Sequence, residues 1–318
     1  MTSNQNHPAA ALPDQADQAG QPDQPDQSAQ PAGRLPRRPA VLDDEARQAR
    51  ARRDAAVRGV PSMAAMRDAI RDAARTLPLI DTVPRVRRPD AAAFRARAAQ
   101  GLPFLIEGVV GRWPLCALDP DALRAQFGEV PVRARVGDYI NNAFAPDRAM
   151  QDMTLRAYLD LVAAPAPGLP PYVGNLELRA MNHLCHWPAY FDRMGPPRFW
   201  LGPAGTVTPL HCDYDDNIFA QIRGTKRIML APPHHDAYLY VREANPVLFG
   251  SPVDAEAPDF ARHPLARQAA LIEVIVQPGD MLYVPAGWYH QVHALSFSLS
   301  ANRWARALPL ALRGVTPG

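Results

Sequence analysis

The 318 residues predict a mainly β protein: a double-stranded β-helix of the jelly-roll or cupin kind, with helices flanking it on the N-terminal side. Two observations carry this expectation. Six short runs in the second half, 206–213, 218–222, 227–231, 271–276, 280–284 and 297–304, read as strands with a period of two. Glycine and proline punctuate them at Gly202-Pro203, Gly205, Gly224, Pro232-Pro233, Pro278-Gly279, Pro285 and Gly287, which keeps each run short. Many short strands spaced in this way close into a barrel or a pair of stacked sheets.

The elements follow in order along the chain. Residues 1–40 repeat Pro-Asp-Gln at Pro13, Pro22 and Pro25 and have almost no large apolar side chains, so they are expected to be a disordered tail. Residues 41–78 read as a helical extension. Its first part, Val41 to Val57, carries Arg47, Arg50, Arg52 and Arg53 interleaved with Asp43, Asp44, Glu45 and Asp54, the pattern of a solvated helix. Pro61-Ser62 opens a second helix with Met63, Met66, Ile70 and Ala74 on one face. The main domain spans 79–306. It opens with a helix over Asp90–Ala99, a strand over Phe104–Val110, a helix over Asp119–Phe127 stopped by Gly128, a strand over Val130–Val136 and a helix over Leu155–Val162. A Pro-rich loop from Ala164 to Pro171 precedes the strand-rich half. Within that half, the insert His234–Ala270 is expected to hold a short helix and a loop over one face, and 307–318 forms a short tail.

Composition limits the function classes. Thirty-four basic and 32 acidic residues leave a formal charge of +2, which makes no global case for nucleic acid or an anionic membrane. No apolar run approaches the roughly 18 residues needed to span a bilayer, so no membrane partner is expected. Cys116, Cys185 and Cys212 fit neither a zinc ribbon nor a disulfide framework. They read as reduced thiols, and with no apolar h-region near the start the expected location is cytoplasmic. Abundant Ala, Arg and Pro beside scarce lysine look like the codon bias of a GC-rich bacterial genome.

Against that bias the only lysine, Lys226, lies 15 residues after His211. His211 and Asp213 form a His-x-Asp pair whose side chains point to one face of a strand. His290 follows 79 residues after His211, behind a tight Pro285-Ala286-Gly287 turn. Two imidazoles and a carboxylate make a facial metal triad with open positions, suited to non-haem Fe(II) and O2 chemistry. His234 and His235 sit in a loop after Pro232-Pro233, and His293 would face away from His290. Cys212 would turn away from the metal, Asp215 and Asp216 read as a polar turn, and Trp200, Trp288 and Trp304 read as core.

The stretches 199–231 and 278–304 resemble the JmjC, or cupin-like, 2-oxoglutarate-dependent oxygenases, in particular the small hydroxylase branch that includes the asparaginyl hydroxylase acting on hypoxia-inducible factor. The shared pattern is an aromatic, a Gly-rich turn and then Thr-Pro-x-His-x-Asp, here Phe199 to Asp213, with Asn217 and Lys226 following in register. The resemblance implies that His211, Asp213 and His290 are the iron ligands, with 2-oxoglutarate and O2 as cosubstrates. It implies further that Lys226 holds the distal carboxylate of 2-oxoglutarate, helped by Thr208 and by Tyr172 in Pro-Pro-Tyr-Val-Gly-Asn. Asn217 matches a position near the cosubstrate, and Asn302 in Ser-Ala-Asn-Arg-Trp matches an asparagine beside the metal.

The function so implied is hydroxylation of a protein or peptide side chain, with release of succinate and CO2. Hydroxylation of a tRNA nucleoside by the same family is the alternative, and the basic residues at 47–58 would suit it. A non-catalytic metal-binding cupin has no use for Lys226, and a sugar-isomerase cupin has none for Thr208 and Asn217. The sequence contains no histone-reading module or zinc-ligand cluster that would favour methyl-lysine demethylation. The 14 residues after Trp304 are too few for the paired C-terminal helices by which some relatives dimerise, which leaves the oligomeric state open.

Overall fold

The computed structural model describes residues 63–305 apart from 144, 146, 165, 166, 191–193, 246 and 247; these all belong to the unit Gly59–Gly318. The tail expected at 1–40, the helix at 41–57 and the segment 307–318 lie outside the described residues. The first half contains α1 (Met63–Ala74), β1 (Arg85–Arg87), α2 (Ala91–Ala98), β2 (Phe104–Glu107), α3 (Pro120–Phe127), β3 (Pro131–Arg135), β4 (Met150–Thr154), α4 (Leu155–Ala163), β5 (Tyr172–Leu176) and β6 (Arg198–Gly202). The second half contains β7 (Val207–Cys212), β8 (Asp216–Arg223), β9 (Lys226–Ala231), β10 (Arg242–Asn245), β11 (Leu248–Gly250), β12 (Ile272–Val276), β13 (Met281–Val284), β14 (Tyr289–Ala294) and β15 (Ser298–Ala305).

The helix starts are written in the sequence. The side chains of Asp90, Asp119 and Thr154 accept hydrogen bonds from the backbone N–H groups of Ala93, Ala122 and Ala157, capping α2, α3 and α4. Pro120 occupies the first turn of α3, where its missing N–H costs nothing.

The strands form two sheets. One has nine strands in the order β1-β2-β13-β8-β15-β6-β5-β3-β4, the other six in the order β10-β11-β7-β14-β9-β12. Side chains alternate across each strand. On β8, Ile218, Ala220 and Ile222 enter the large cluster with Phe94, Phe104, Leu123 and Tyr158, while Phe219 joins Leu105, Ile228, Leu230, Leu282 and Trp288 in another. A third cluster joins Leu210, Cys212 and Tyr289 to Ile70 of α1. A Cβ on Gly287 would stand 2.4 Å from Ile70 Cγ2, so α1 packs directly on the turn before β14.

The structure refines the expected pattern in two places. The strand expected to run to Val110 stops at Glu107, because Gly108 takes φ +78° and a 3-10 turn follows at Val110–Arg112. The insert contributes 3-10 turns at Pro233–His235 and Pro264–Gln268, and also the pair β10–β11. β11 pairs with β7, Phe249 opposite Cys212 and Gly250 opposite His211, and so covers an edge of the six-stranded sheet.

Candidate functional site

His211 lies on β7, Asp213 just beyond its end, and His290 on β14. The two histidines are directly opposite in the β7–β14 ladder, with ring centroids 4.3 Å apart. One ligand atom from each of His211, Asp213 and His290 falls within 4.8 Å of the others, the separation one metal ion bridges. Asp213 Oδ2 is 3.8 Å from His290 Nε2.

Backbone and ring contacts prepare these groups for a cation. His211 Nδ1 donates to the Pro209 carbonyl at 2.7 Å, and His290 Nδ1 to the Trp288 carbonyl at 3.1 Å. A carbonyl only accepts, so each Nδ1 carries the proton and each Nε2 the lone pair, the tautomer a metal requires. Burial and the neighbouring His290 lower the His211 pKa, which favours the neutral, ligating ring. Trp304 Nε1 donates to Asp213 Oδ2 at 2.8 Å and fixes the carboxylate. Two further bonds tie the two halves of the site: Gly287 N–H donates to the Asp213 carbonyl at 2.7 Å, and Ala286 N–H to Asp216 Oδ1 at 2.9 Å. The turn before His290 is thereby stapled to the loop that carries Asp213.

Strict alternation would put Thr208 and His211 on opposite faces. The pairing of β7 with β14 shifts between His290 and Val292, three residues of β7 matching two of β14. This bulge sits at Pro209-Leu210, where a proline without an N–H is tolerated. It turns Leu210 into the outer cluster and Thr208 inward. Tyr172, on the opposite sheet, turns its hydroxyl to the Thr208 side chain, and burial pushes its pKa up.

Lys226 opens β9 and points inward. Its Nζ lies 5.8 Å from the centre of the Tyr172 ring and 5.4 Å from that of Phe219. The residue is 1% exposed and Nζ has no hydrogen-bond partner. Burial pushes its pKa down to about 7. An ammonium buried without a partner costs several kcal/mol, a cost that a bound carboxylate offsets. Asn302 Nδ2 donates to Asn217 Oδ1 at 2.9 Å and Trp200 Nε1 to Asn302 Oδ1 at 2.7 Å, so both asparagines belong to one buried chain of hydrogen bonds. The eight residues singled out in the sequence therefore fall into three linked groups: the triad, the Lys226–Tyr172–Thr208 set, and the Asn217–Asn302 pair.

The other residues divide clearly. His293 faces away from the metal ligands and pairs with Glu256 at 3.1 Å. His235 Nδ1 accepts from Ala270 N–H at 2.9 Å. Cys212 is buried in the outer cluster. Trp288 is core, its Nε1 donating to the Gly101 carbonyl at 2.9 Å, but Trp200 and Trp304 are not simply core, since both indoles serve the site. Their signal was spacing: Trp304 is two residues from Asn302 on one strand and so shares its face. Asp216, read as part of a polar turn, is the buried staple. Arg135 was not singled out at all.

A two-sheet β barrel with a His-Asp-His triad and a buried lysine defines a metal-binding cupin. Residues 90–309 match the family model described as a cupin-like domain, and the chain belongs to that family. Among its relatives is Jumonji C domain-containing protein 5 of Drosophila melanogaster, 27% identical over 242 residues that cover 70% of this chain and 59% of that protein. Another is the bifunctional peptidase and (3S)-lysyl hydroxylase JMJD7 of Homo sapiens, 27% identical over 289 residues, 76% of this chain and 91% of that protein. tRNA wybutosine-synthesizing protein 5 of Danio rerio is 33% identical over 130 residues, 39% of this chain and 37% of that protein. The chain thus spans little more than half of the Drosophila relative and about a third of the Danio one. The JmjC-type members of this family use Fe(II) and 2-oxoglutarate with O2, and the donor set here fits them: a triad suited to Fe(II) and a buried cation suited to a carboxylate. No helix among the described residues is long and apolar enough to cross a membrane.

Proposed function

We propose that this chain is a 2-oxoglutarate- and Fe(II)-dependent dioxygenase that hydroxylates a side chain of a protein or peptide and releases succinate and CO2. In this reading His211, Asp213 and His290 hold the metal. Lys226 receives the distal carboxylate of 2-oxoglutarate, the Thr208 and Tyr172 hydroxyls hydrogen-bond to it, and Asn217 and Asn302 line the metal side. The observation that carries the reading is Lys226, buried and unpartnered at Nζ in the same barrel as the triad. A binding cupin gains nothing from such a group, whereas a dianionic cosubstrate needs one.

Bound iron and 2-oxoglutarate supply the oxidising chemistry. The protein contributes geometry. The two Nδ1–H bonds and the Trp304 indole hold three ligands on one side, leaving about three of six octahedral positions for cosubstrate and O2. Lys226 orients the cosubstrate by a charge-assisted bond. The apolar cluster of Leu105, Ile228, Leu230 and Trp288 keeps part of the barrel interior dry.

The similarity to a lysyl hydroxylase supports a protein or peptide substrate. The similarity to a wybutosine-synthesizing protein supports the second reading, a tRNA nucleoside. One assay separates them. Protein loaded with Fe(II) is given 2-oxoglutarate and O2 with either a peptide digest or total tRNA, and succinate is measured beside a His211→Ala control. The proposal expects wild-type succinate and peptides heavier by one oxygen atom. Oxygen gained only by tRNA would favour the second reading, and metal-loaded protein that does not bind 2-oxoglutarate would sink both.

A further inference from the structure

Arg135 ends β3, and its Cα pairs with that of Tyr172 across the β3–β5 ladder. Directly opposite residues share a face, so both side chains rise into the barrel. The guanidinium carbon lies 5.6 Å from the centre of the Tyr172 ring and 5.5 Å from that of Trp200. A Cβ on Gly174 would stand 3.2 Å from Arg135 Cζ and 2.9 Å from Trp200 Cε3, so the absence of a side chain there makes room for both groups. Arg135 is 6% exposed, and its Nε and Nη1 have no hydrogen-bond partner. Arg148 adds a second positive charge close by; its Nη1 donates to the Ala145 carbonyl at 3.1 Å, while its buried Nε is unpartnered. Among the described residues no carboxylate pairs with either guanidinium.

Two like charges in a buried corner, one stacked between aromatic rings with its donors unpaired, form an arrangement that an anion completes. Lys226 already accounts for the distal carboxylate of 2-oxoglutarate. The Arg135 charge is felt at His211, so its ligand would sit within electrostatic reach of the metal ligands. Resting on the oxygenase reading above, we propose that Arg135, supported by Arg148, receives a carboxylate of the prime substrate, so that the enzyme selects an acidic residue of a peptide or protein. Arg135 is then a specificity-determining residue: its planar fork takes the carboxylate in bidentate fashion and holds the neighbouring carbon before the metal. A nucleic-acid phosphate is the lesser match, because a formal charge of +2 offers no basic track for a polyanion.

The test uses Mn(II)-loaded full chain with 2-oxoglutarate and reads the broadening of probe proton signals by the metal. The probes are the N-acetyl amides of aspartate and glutamate, their asparagine and glutamine counterparts, and uridine monophosphate. The acidic amino-acid probes are expected to bind at least about tenfold more tightly than the neutral ones, the difference one charge-assisted pair supplies. Arg135→Met should abolish that preference while keeping 2-oxoglutarate affinity within about twofold of wild type, and Arg135→Lys should keep part of it. Equal binding of acidic and neutral probes overturns the inference, as does a preference for uridine monophosphate. Loss of 2-oxoglutarate binding in Arg135→Met as deep as in Lys226→Met also overturns it, because Arg135 would then serve the cosubstrate. If Arg135→Met does not fold, the wild-type preference and Arg135→Lys still decide. Wild-type protein that binds no 2-oxoglutarate defeats the oxygenase reading, and this inference with it.

Discussion

Lys226→Met exchanges a buried ammonium for an apolar group of similar length and sets cosubstrate binding against stability. Burial lowers the Lys226 pKa from 10.5 to about 7. At about 1.4 kcal/mol per pH unit this corresponds to about 5 kcal/mol against the charged form, an upper bound because local relaxation reduces it. The folded pKa lies below the unfolded one, so between about pH 7 and 10.5 the unfolded chain binds more protons. Stability from this group therefore rises with pH across that window. Lys226→Met should remove the rise. Without cosubstrate the variant should be more stable than wild type by up to about 5 kcal/mol at pH 6, and by about 2 kcal/mol at pH 9. Its affinity for 2-oxoglutarate should fall about 10- to 150-fold, the cost of one charge-assisted hydrogen bond of about 1.5–3 kcal/mol. Urea denaturation at the two pH values and calorimetric titration of metal-loaded protein read both effects. A variant less stable than wild type at pH 6, or one that binds 2-oxoglutarate as well, would refute the reasoning.

Trp304→Phe removes the indole bond to Asp213 and should weaken metal binding by about 10- to 100-fold in competition with a chelator, with little change in fold; unchanged affinity would deny Trp304 a role at the metal. Asp216→Ala leaves the Ala286 N–H unpaired and should cost about 1–3 kcal/mol by urea denaturation while also loosening metal binding. Gly287 has φ +83°, and a Cβ there would meet Ile70 Cγ2 at 2.4 Å. Gly287→Ala should therefore lower Tm by roughly 5–10 °C, and adding Ile70→Ala should recover the part due to the clash but not the part due to φ.

The metal triad was legible because two short-range rules suffice: i and i+2 share a strand face, and antiparallel pairing puts the second histidine opposite the first. The six late strands were legible for a similar reason, one face apolar and turns marked by glycine or proline. β5 and β6 were missed because Tyr172, Gly174, Trp200 and Gly202 face the barrel while Val173, Phe199 and Leu201 face the outer core, so neither strand alternates polar with apolar. The bulge at Pro209-Leu210, which turns Thr208 toward the ligands, leaves no mark in the period. Arg133 and Arg135 look alike in Val-Arg-Ala-Arg. Arg133 pairs with Asp152 on β4, whereas closure of the barrel buries Arg135 against Tyr172 and Trp200. Only the tertiary fold separates them.

The account's central claim is that one metal held by His211, Asp213 and His290 and one cation, Lys226, together bind 2-oxoglutarate. Calorimetric titration of 2-oxoglutarate into metal-free and Mn(II)-loaded wild-type protein, with His211→Ala alongside, tests it most directly. The account predicts one cosubstrate per chain in the loaded wild type, and strongly weakened binding both without metal and in His211→Ala. Binding that ignores the metal, or none in the loaded protein, would contradict it.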